Sequence, residues 1–148
     1  MAQPCDARQK ELFRPALDQI IDESHPLVRL ARSIDWEGLG RDLGGVFKPG
    51  AGHPPLPVRL MAGLLILKHM HGLSDEALCA RWIENPYFQY FCGEQVFRHD
   101  CGFDRSSLSR WRQRLGQERL ATLIRHHVPT QKSALPAHGS ALNIRSLN

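Results

Sequence analysis

The chain has 148 residues, of which 42% are hydrophobic and 23% are charged, a composition typical of one globular domain with an apolar core. The first ten residues are polar, and the longest apolar run, 56–67, contains Pro57 and Arg59. We therefore expect neither a secretory signal nor a membrane-spanning helix. The four cysteines are too dispersed for a disulfide scaffold, which favours reduced thiols in a cytoplasmic protein.

The net charge of +4 is concentrated in one region. Between Arg98 and His127 there are seven arginines and three carboxylates, whereas the remaining 12 basic and 12 acidic residues cancel. Clustered arginine is typical of a surface that binds phosphate groups. A solvated helix face with unpaired arginines would give the same count, so charge alone leaves both interpretations open.

Apolar residues recur at helical spacing along the chain and period-two alternation is absent, which predicts an all-α fold made of several small helices. An opening helix is expected over 12–21, bent or started near Pro15. Pro26 suits the first turn of a second helix. Asp35 is the expected N-cap of a short helix over 36–43 that ends at two glycines.

The stretch 44–57 contains four glycines and four prolines, which predicts a linker or long loop. It separates N-terminal helices (1–43) from a helical DNA-binding region (58–127). The segment 128–148 has no periodicity, so we expect a disordered tail there.

Beyond the linker, the residues from Pro57 to Met70 are apolar nearly all round, which predicts the central buried helix, ending at His71-Gly72. Ser74 is the expected N-cap of the next helix, which stops at Asn85-Pro86. The aromatic segment 87–91 is interpreted as core in preference to a surface that stacks on bases.

Asp104 is the expected cap of a helix over 105–115, and Gly116 separates it from a further helical piece over 118–127. Its apolar residues form one buried stripe: Leu108, Trp111 and Leu115. Short polar residues lie on the opposite face: Ser106, Ser109 and Gln113. Arginines flank both faces, with Arg110 and Arg114 on one side and Arg105 and Arg112 on the other.

This arrangement is the one a recognition helix needs, because one face packs on the domain while polar groups face bases and guanidinium groups reach phosphates. The preceding helix and the aromatic segment would complete a helix-turn-helix-like unit, although the connection 93–103 is long for one. The alternative is an ordinary amphipathic surface helix. The residues expected to bind DNA are Arg105, Ser106, Ser109, Arg110, Arg112, Gln113, Arg114 and Arg119.

Other site chemistries have weaker support. A zinc site from Cys92, His99 and Cys101, with His69 or His71, is conceivable, but buried thiols and surface histidines explain these residues more simply. We expect no metal site. Five aspartates sit where capping accounts for most of them: Asp35, Asp42, Asp75, Asp100 and Asp104. No glycine-rich phosphate loop with a lysine is present, so we expect no catalytic residue and no cofactor in this chain.

Three segments together resemble the opening of insertion-sequence DDE transposases in the group founded on insertion sequence five. Two of them are HPLVRLARSIDWEGL (25–39) and PVRLMAGLLILKHMHGLSDEALCARWIENPYFQYFCG (57–93). The third, DRSSLSRWRQRLG (104–116), resembles the family's next landmark and contains its Arg-aromatic-Arg triplet as Arg110-Trp111-Arg112.

The resemblance implies an all-helical domain that binds double-stranded DNA at the element's terminal inverted repeats, and hence association with the nucleoid. In the family an RNase-H-like domain follows, where Asp, Asp and Glu hold two Mg²⁺ ions. The sequence after Ile124 departs from that pattern, so we expect a truncated or remnant product without catalysis. The alternatives are a subunit of a two-piece transposase and a helical interaction protein. Whether it forms a homo-oligomer or joins a transposase partner is left open.

Overall fold

A computed structural model describes residues 14–44 and 56–129, and it confirms the predicted all-α class. The helices in these two ranges are α1 (Leu17–Ile20), α2 (Pro26–Ser33), α3 (Trp36–Gly44), α4 (Val58–His71), α5 (Asp75–Glu84), α6 (Pro86–Phe91), α7 (Arg105–Leu115) and α8 (Gln117–His127). Their only extended pairing is one isolated bridge, between Ala16 and Val96. The start of the predicted opening helix, most of the predicted linker and the predicted tail lie outside the described residues.

Short polar side chains begin three helices where the sequence predicted them. Asp35 Oδ1 accepts a hydrogen bond from the Gly38 amide at 2.9 Å. Ser74 Oγ accepts one from the Ala77 amide at 3.1 Å. Asp104 also caps its helix, α7, through the amide two residues on. These bonds satisfy amides that the first turn of a helix leaves unpaired.

Helix α2 has a histidine as its N-cap, which is unusual. Pro26 occupies its first position, as predicted, and the N-cap is His25. The Nδ1 atom of His25 accepts a hydrogen bond from the Leu27 amide at 3.1 Å. The imidazole also stacks on the ring of Tyr87, with 3.8 Å between centroids. An unprotonated ring nitrogen therefore caps α2, whereas a carboxylate or hydroxyl oxygen caps α3, α5 and α7.

The central helix is α4, as the sequence predicted, and eight consecutive residues from Leu60 to Leu67 are buried. Gly63 makes close packing against the end of α6 feasible, because a Cβ there would lie 3.0 Å from Cys92 Sγ. Gly72 ends α4 in the left-handed conformation, with φ of 59°, which glycine adopts without steric cost.

Helices on both sides of the predicted linker share one core. Buried residues of α2 and α3, such as Leu30 and Leu39, belong to the same apolar cluster as Leu64, Leu108 and Leu123. Helix α2 packs against α6, and α3 packs against both α4 and α8. The described parts of 1–43 and 58–127 are therefore one structural unit.

The aromatic segment is core, as predicted, and it is a helix in its own right. Phe88 and Phe91 are buried. Asn85 caps α6 by accepting hydrogen bonds from the amides of Tyr87 and Phe88. An asparagine followed by proline can begin a helix as well as end one, and the sequence predicted only the end.

Gln89 fixes the loop that leads into α7. This side chain is fully buried, and its Nε2 donates to the carbonyl oxygens of Trp82 at 2.9 Å and Arg98 at 2.7 Å. Its Oε1 accepts from the Arg98 amide at 2.7 Å. The loop after α6 is thus tied to the core before α7 begins.

Candidate nucleic-acid interface

Helix α7 packs against α5 and α8. Leu108 and Leu115 are buried, as predicted. Trp111 is only half-buried, although it packs against the core. It lies at the edge of the apolar stripe, so part of its ring remains accessible.

Ser109 and Arg112, both expected to bind DNA, are partly buried and bond to Asp75. Arg112 Nη2 lies 2.6 Å from Asp75 Oδ2, and Ser109 Oγ donates to the same oxygen at 3.3 Å. Lys68 Nζ lies 2.8 Å from the other carboxylate oxygen of Asp75. Asp75 therefore joins the end of α4, the start of α5 and the middle of α7.

The charge state of Asp75 fits this role. Burial opposes ionisation of the carboxyl, but the hydrogen bond from Lys68 and the charges of Lys68 and Arg112 outweigh it, so the pKa of Asp75 lies below its usual value. The network holds α7 in place with a carboxylate that stays charged at neutral pH.

Helical geometry explains why Arg112 is partly buried. It follows the buried Leu108 by four residues, and residues four apart lie on the same side of a helix. The spacing was visible in the sequence, whereas its partner Asp75 was not, since the two lie 37 positions apart.

The exposed face of α7 carries Ser106, Arg110, Gln113 and Arg114. Among the described residues, Arg110 bonds within its own helix, through Nη2 to Ser106 Oγ at 2.8 Å and Nε to the Ser106 carbonyl at 3.3 Å. Ser106 also donates to Asp104. Within the described ranges, Arg114 makes no hydrogen bond or ion pair through its guanidinium.

Two further predicted arginines border this face. Arg105 lies 3.4 Å from Glu76, and both side chains are largely exposed, so the pair is weak and easily exchanged. Arg119, at the start of α8, is exposed and donates to the backbone carbonyl of Asp42 at 3.4 Å. Both guanidinium groups remain accessible to an anion.

The arginine surplus seen in the sequence divides into two groups. Arg98, Arg105 and Arg112 each have a carboxylate within 4.0 Å. Four others are exposed and, among the residues described, have no carboxylate at ion-pair distance: Arg110, Arg114, Arg119 and Arg125. The arginines of this region without a carboxylate partner therefore lie on α7 and α8.

A cleft of about 580 Å³ lies beside this surface, between the end of α4 and helices α7 and α8. Its polar lining includes Lys68, Arg112, Gln113 and Gln117, and Leu73 and Leu120 supply apolar walls. The cleft opens next to the exposed face of α7.

The conceivable zinc ligands do not come together. Cys79, Cys92 and Cys101 are free thiols, and burial raises the pKa of Cys101 to about 12. Among the described histidine, cysteine and acidic side chains, one group of three has its ligand atoms close enough for a metal ion, and it contains no cysteine: Asp42, His126 and His127. This group was not predictable from sequence spacing, because Asp42 lies on α3 and the histidines on α8.

Comparison with known proteins places the chain in a family. The model of the transposase domain DUF772 matches residues 15–114, which is more than half of the chain. The chain belongs to this transposase domain family. The matched range runs from the segment before α1 almost to the end of α7, so it includes most of the helices described above.

A relative from Rhizobium meliloti, the uncharacterized protein ORF8 in the nfe locus, is 44% identical over 120 residues. The match covers 81% of this chain and 58% of that protein, so the chain spans less than two thirds of the relative's length. No solved structure matches this transposase domain. Within the described ranges, none of its helices combines the length and apolar character needed to cross a bilayer.

Proposed function

We propose that this transposase domain binds duplex DNA through the exposed face of α7 and the adjoining start of α8. The proposal rests on the pair Arg110 and Arg114, which lie one helical turn apart, neither forming an ion pair with a carboxylate in the described part of the chain. Guanidinium groups so placed suit contacts to phosphates along one strand. Gln113 lies between them, and its amide has the donor and acceptor needed to read a base edge.

The proposed contact set is smaller than the sequence suggested. Arg105, Arg110, Arg114 and Arg119 are the phosphate-binding residues, and Gln113 reads bases. Ser106 orients Arg110 through its hydroxyl. Ser109 and Arg112 act indirectly, since their side chains are bound to Asp75 and hold α7 against α5.

The finer assignment follows the sequence resemblance. The proposed target is the terminal inverted repeats of an insertion sequence, and the proposed relatives are the DDE transposases founded on insertion sequence five. The packing of α5 against α7 supports a helix-turn-helix-like unit in which α7 enters the major groove, with α6 and a loop between the two helices.

We assign no catalytic step to this chain. Asp35 and Asp104 cap helices, Asp75 pairs with Lys68 and Arg112, and Asp100 faces Arg98. In the described ranges no three carboxylates converge. These side chains do not fit a two-Mg²⁺ centre, which needs carboxylates around both ions, so the proposal concerns binding alone.

The test is a charge-matched pair of double variants. Arg110→Ala/Arg114→Ala removes two arginines from the proposed face, and Arg29→Ala/Arg41→Ala removes two exposed arginines from α2 and α3. Fluorescence anisotropy on a labelled duplex at low salt should show affinity falling by about tenfold to a hundredfold for the first variant. The second should lose less than about threefold. Equal losses would show that only net charge matters, and no binding by the native chain would favour a protein partner.

A further inference from the structure

We infer that Asp42, His126 and His127 form a binding site for a transition-metal ion of the zinc class, which joins α3 to α8. The inference is independent of the proposed DNA binding. The three side chains come from the last turn of α8 and the C-terminal part of α3, two helices that pack against each other. A metal held there would fasten the end of α8 to the N-terminal half of the core.

The distances suit such a site after small movements. His127 Nε2 lies 2.8 Å from Asp42 Oδ2, and one ligand atom from each of the three residues lies within 4.8 Å of the others. Zinc bonds to nitrogen and oxygen of about 2.0–2.2 Å place tetrahedral ligands about 3.3 Å apart. Asp42 and His126 are exposed, so their side chains are free to make the adjustment.

The imidazole of His127 is the fixed member of the group, with a side chain only 6% exposed. Its other nitrogen, Nδ1, lies 3.9 Å from Asp35 Oδ2, while Asp35 Oδ1 is held by the Gly38 amide. When Nε2 binds a metal, the proton resides on Nδ1 and points to a carboxylate. Metal-binding histidines commonly donate a hydrogen bond from the ring nitrogen that does not bind the metal, which fixes the orientation of the ring.

Gly38 supplies an independent sign that α3 is shaped around this imidazole. Glycine is less favourable than alanine within a helix, yet Gly38 is buried in the first turn of α3. A Cβ there would collide with Asp35 Oδ2 and lie 3.0 Å from His127 Cε1. The missing methyl group leaves room for both the imidazole and its carboxylate neighbour.

A hydrogen bond between His127 and Asp42 alone would require neither His126 nor the Asp35 carboxylate. The position of His126 completes a set of two imidazoles and one carboxylate. This ligand set favours zinc, cobalt or nickel over calcium or magnesium, which prefer oxygen ligands. Three protein ligands leave the fourth position to water.

The test uses the full chain, stripped of metal and then titrated with Zn²⁺ and with Co²⁺. One equivalent of Zn²⁺ should raise the melting temperature, and Co²⁺ should give the weak visible bands of a tetrahedral nitrogen and oxygen site. His126→Ala should melt normally without metal and lose the zinc-dependent rise. His99→Ala, which removes another exposed histidine, should keep it. Should His126→Ala be unstable, Asp42→Asn takes its place with the same expectation.

Three results would overturn the inference. One is the absence of saturable binding, and another is an equal zinc response in His126→Ala and His99→Ala. The third is an intense thiolate-to-cobalt charge-transfer band, since that would assign the bound metal to cysteines.

Discussion

His25 caps α2 through a ring nitrogen that protonation would block. Partial burial lowers the pKa of His25 below its usual value, although Asp22 acts in the opposite direction. The unfolded chain therefore binds a proton more readily than the folded one, and stability rises with pH across this range. We expect the melting temperature to fall as pH decreases through the usual histidine pKa of about 6.5 and toward the folded value.

Burial lowers the pKa of His71 as well, aided by Arg81. Substitution of His25 therefore distinguishes its contribution to the pH dependence from that of His71. His25→Asn keeps a good N-cap and removes the titration. Melting curves of native and His25→Asn protein between about pH 5 and 8 should show a shallower pH dependence in the variant. Parallel curves would mean that His25 contributes no part of the effect.

Arg112 and Arg114 are two residues apart yet should respond differently to replacement. Arg112→Ala leaves the half-buried Asp75 with Lys68 as its ion-pair partner and Ser109 as a hydrogen-bond donor, and we expect a loss of about 1–2 kcal/mol in unfolding free energy, modest because Arg112 is partly exposed. Arg114→Ala removes no hydrogen bond or ion pair among the described residues, so stability should change by less than about 0.5 kcal/mol. Denaturant unfolding measures both, and indistinguishable midpoints would place the two arginines in equivalent surroundings.

For single residues, the sequence predicted the contacts between positions that are close together in the chain. Asp35, Ser74 and Asp104 were recognised as caps because a cap and its helix are adjacent in the chain. The ion pair of Arg112 depends on Asp75 in another helix, and the hydrogen bond between Asp42 and His127 spans 85 positions. Such contacts follow from how helices pack, which periodicity does not specify.

Gln89 controls how the chain passes from α6 into α7. Gln89→Leu would keep the volume but leave two carbonyl groups and one amide without their partner. Unsatisfied buried polar groups cost about 1–3 kcal/mol each, with partial relief from water. We therefore expect a drop in melting temperature of several degrees or more.

The matched control is Gln95→Leu, because Gln95 is exposed on the same loop. It should melt close to the native protein. If the two leucine variants lose the same amount, the buried hydrogen bonds of Gln89 are not what holds the loop.

Helix positions were predictable where apolar spacing was long or all-round. The bounds of α4 and α7 agree with prediction because each combines a strong apolar pattern with a proline or aspartate start and a glycine end. The six-residue helix α6 was missed as an element, since it is too short to show a period and Asn85-Pro86 was interpreted only as a stop.

In the described part of the transposase domain, one core contains residues from both sides of the predicted linker. Leucines of α2 and α3 join those of α4, α7 and α8 in one cluster, so α7 rests on a support drawn from both halves of the described chain. A glycine- and proline-rich stretch shows where helices stop, but it carries no information on whether the flanking helices pack together.

The salt dependence of duplex binding shows whether arginines of α7 and the start of α8 contact DNA phosphates, as we propose. Each neutralised phosphate contributes about −0.9 to the slope of log affinity against log salt. With three or four such contacts the native chain should give a slope of about −3. Arg110→Ala/Arg114→Ala should reduce its magnitude by nearly 2, while Arg29→Ala/Arg41→Ala leaves it almost unchanged. A flat salt response, or the same slope in all three proteins, would contradict the claim.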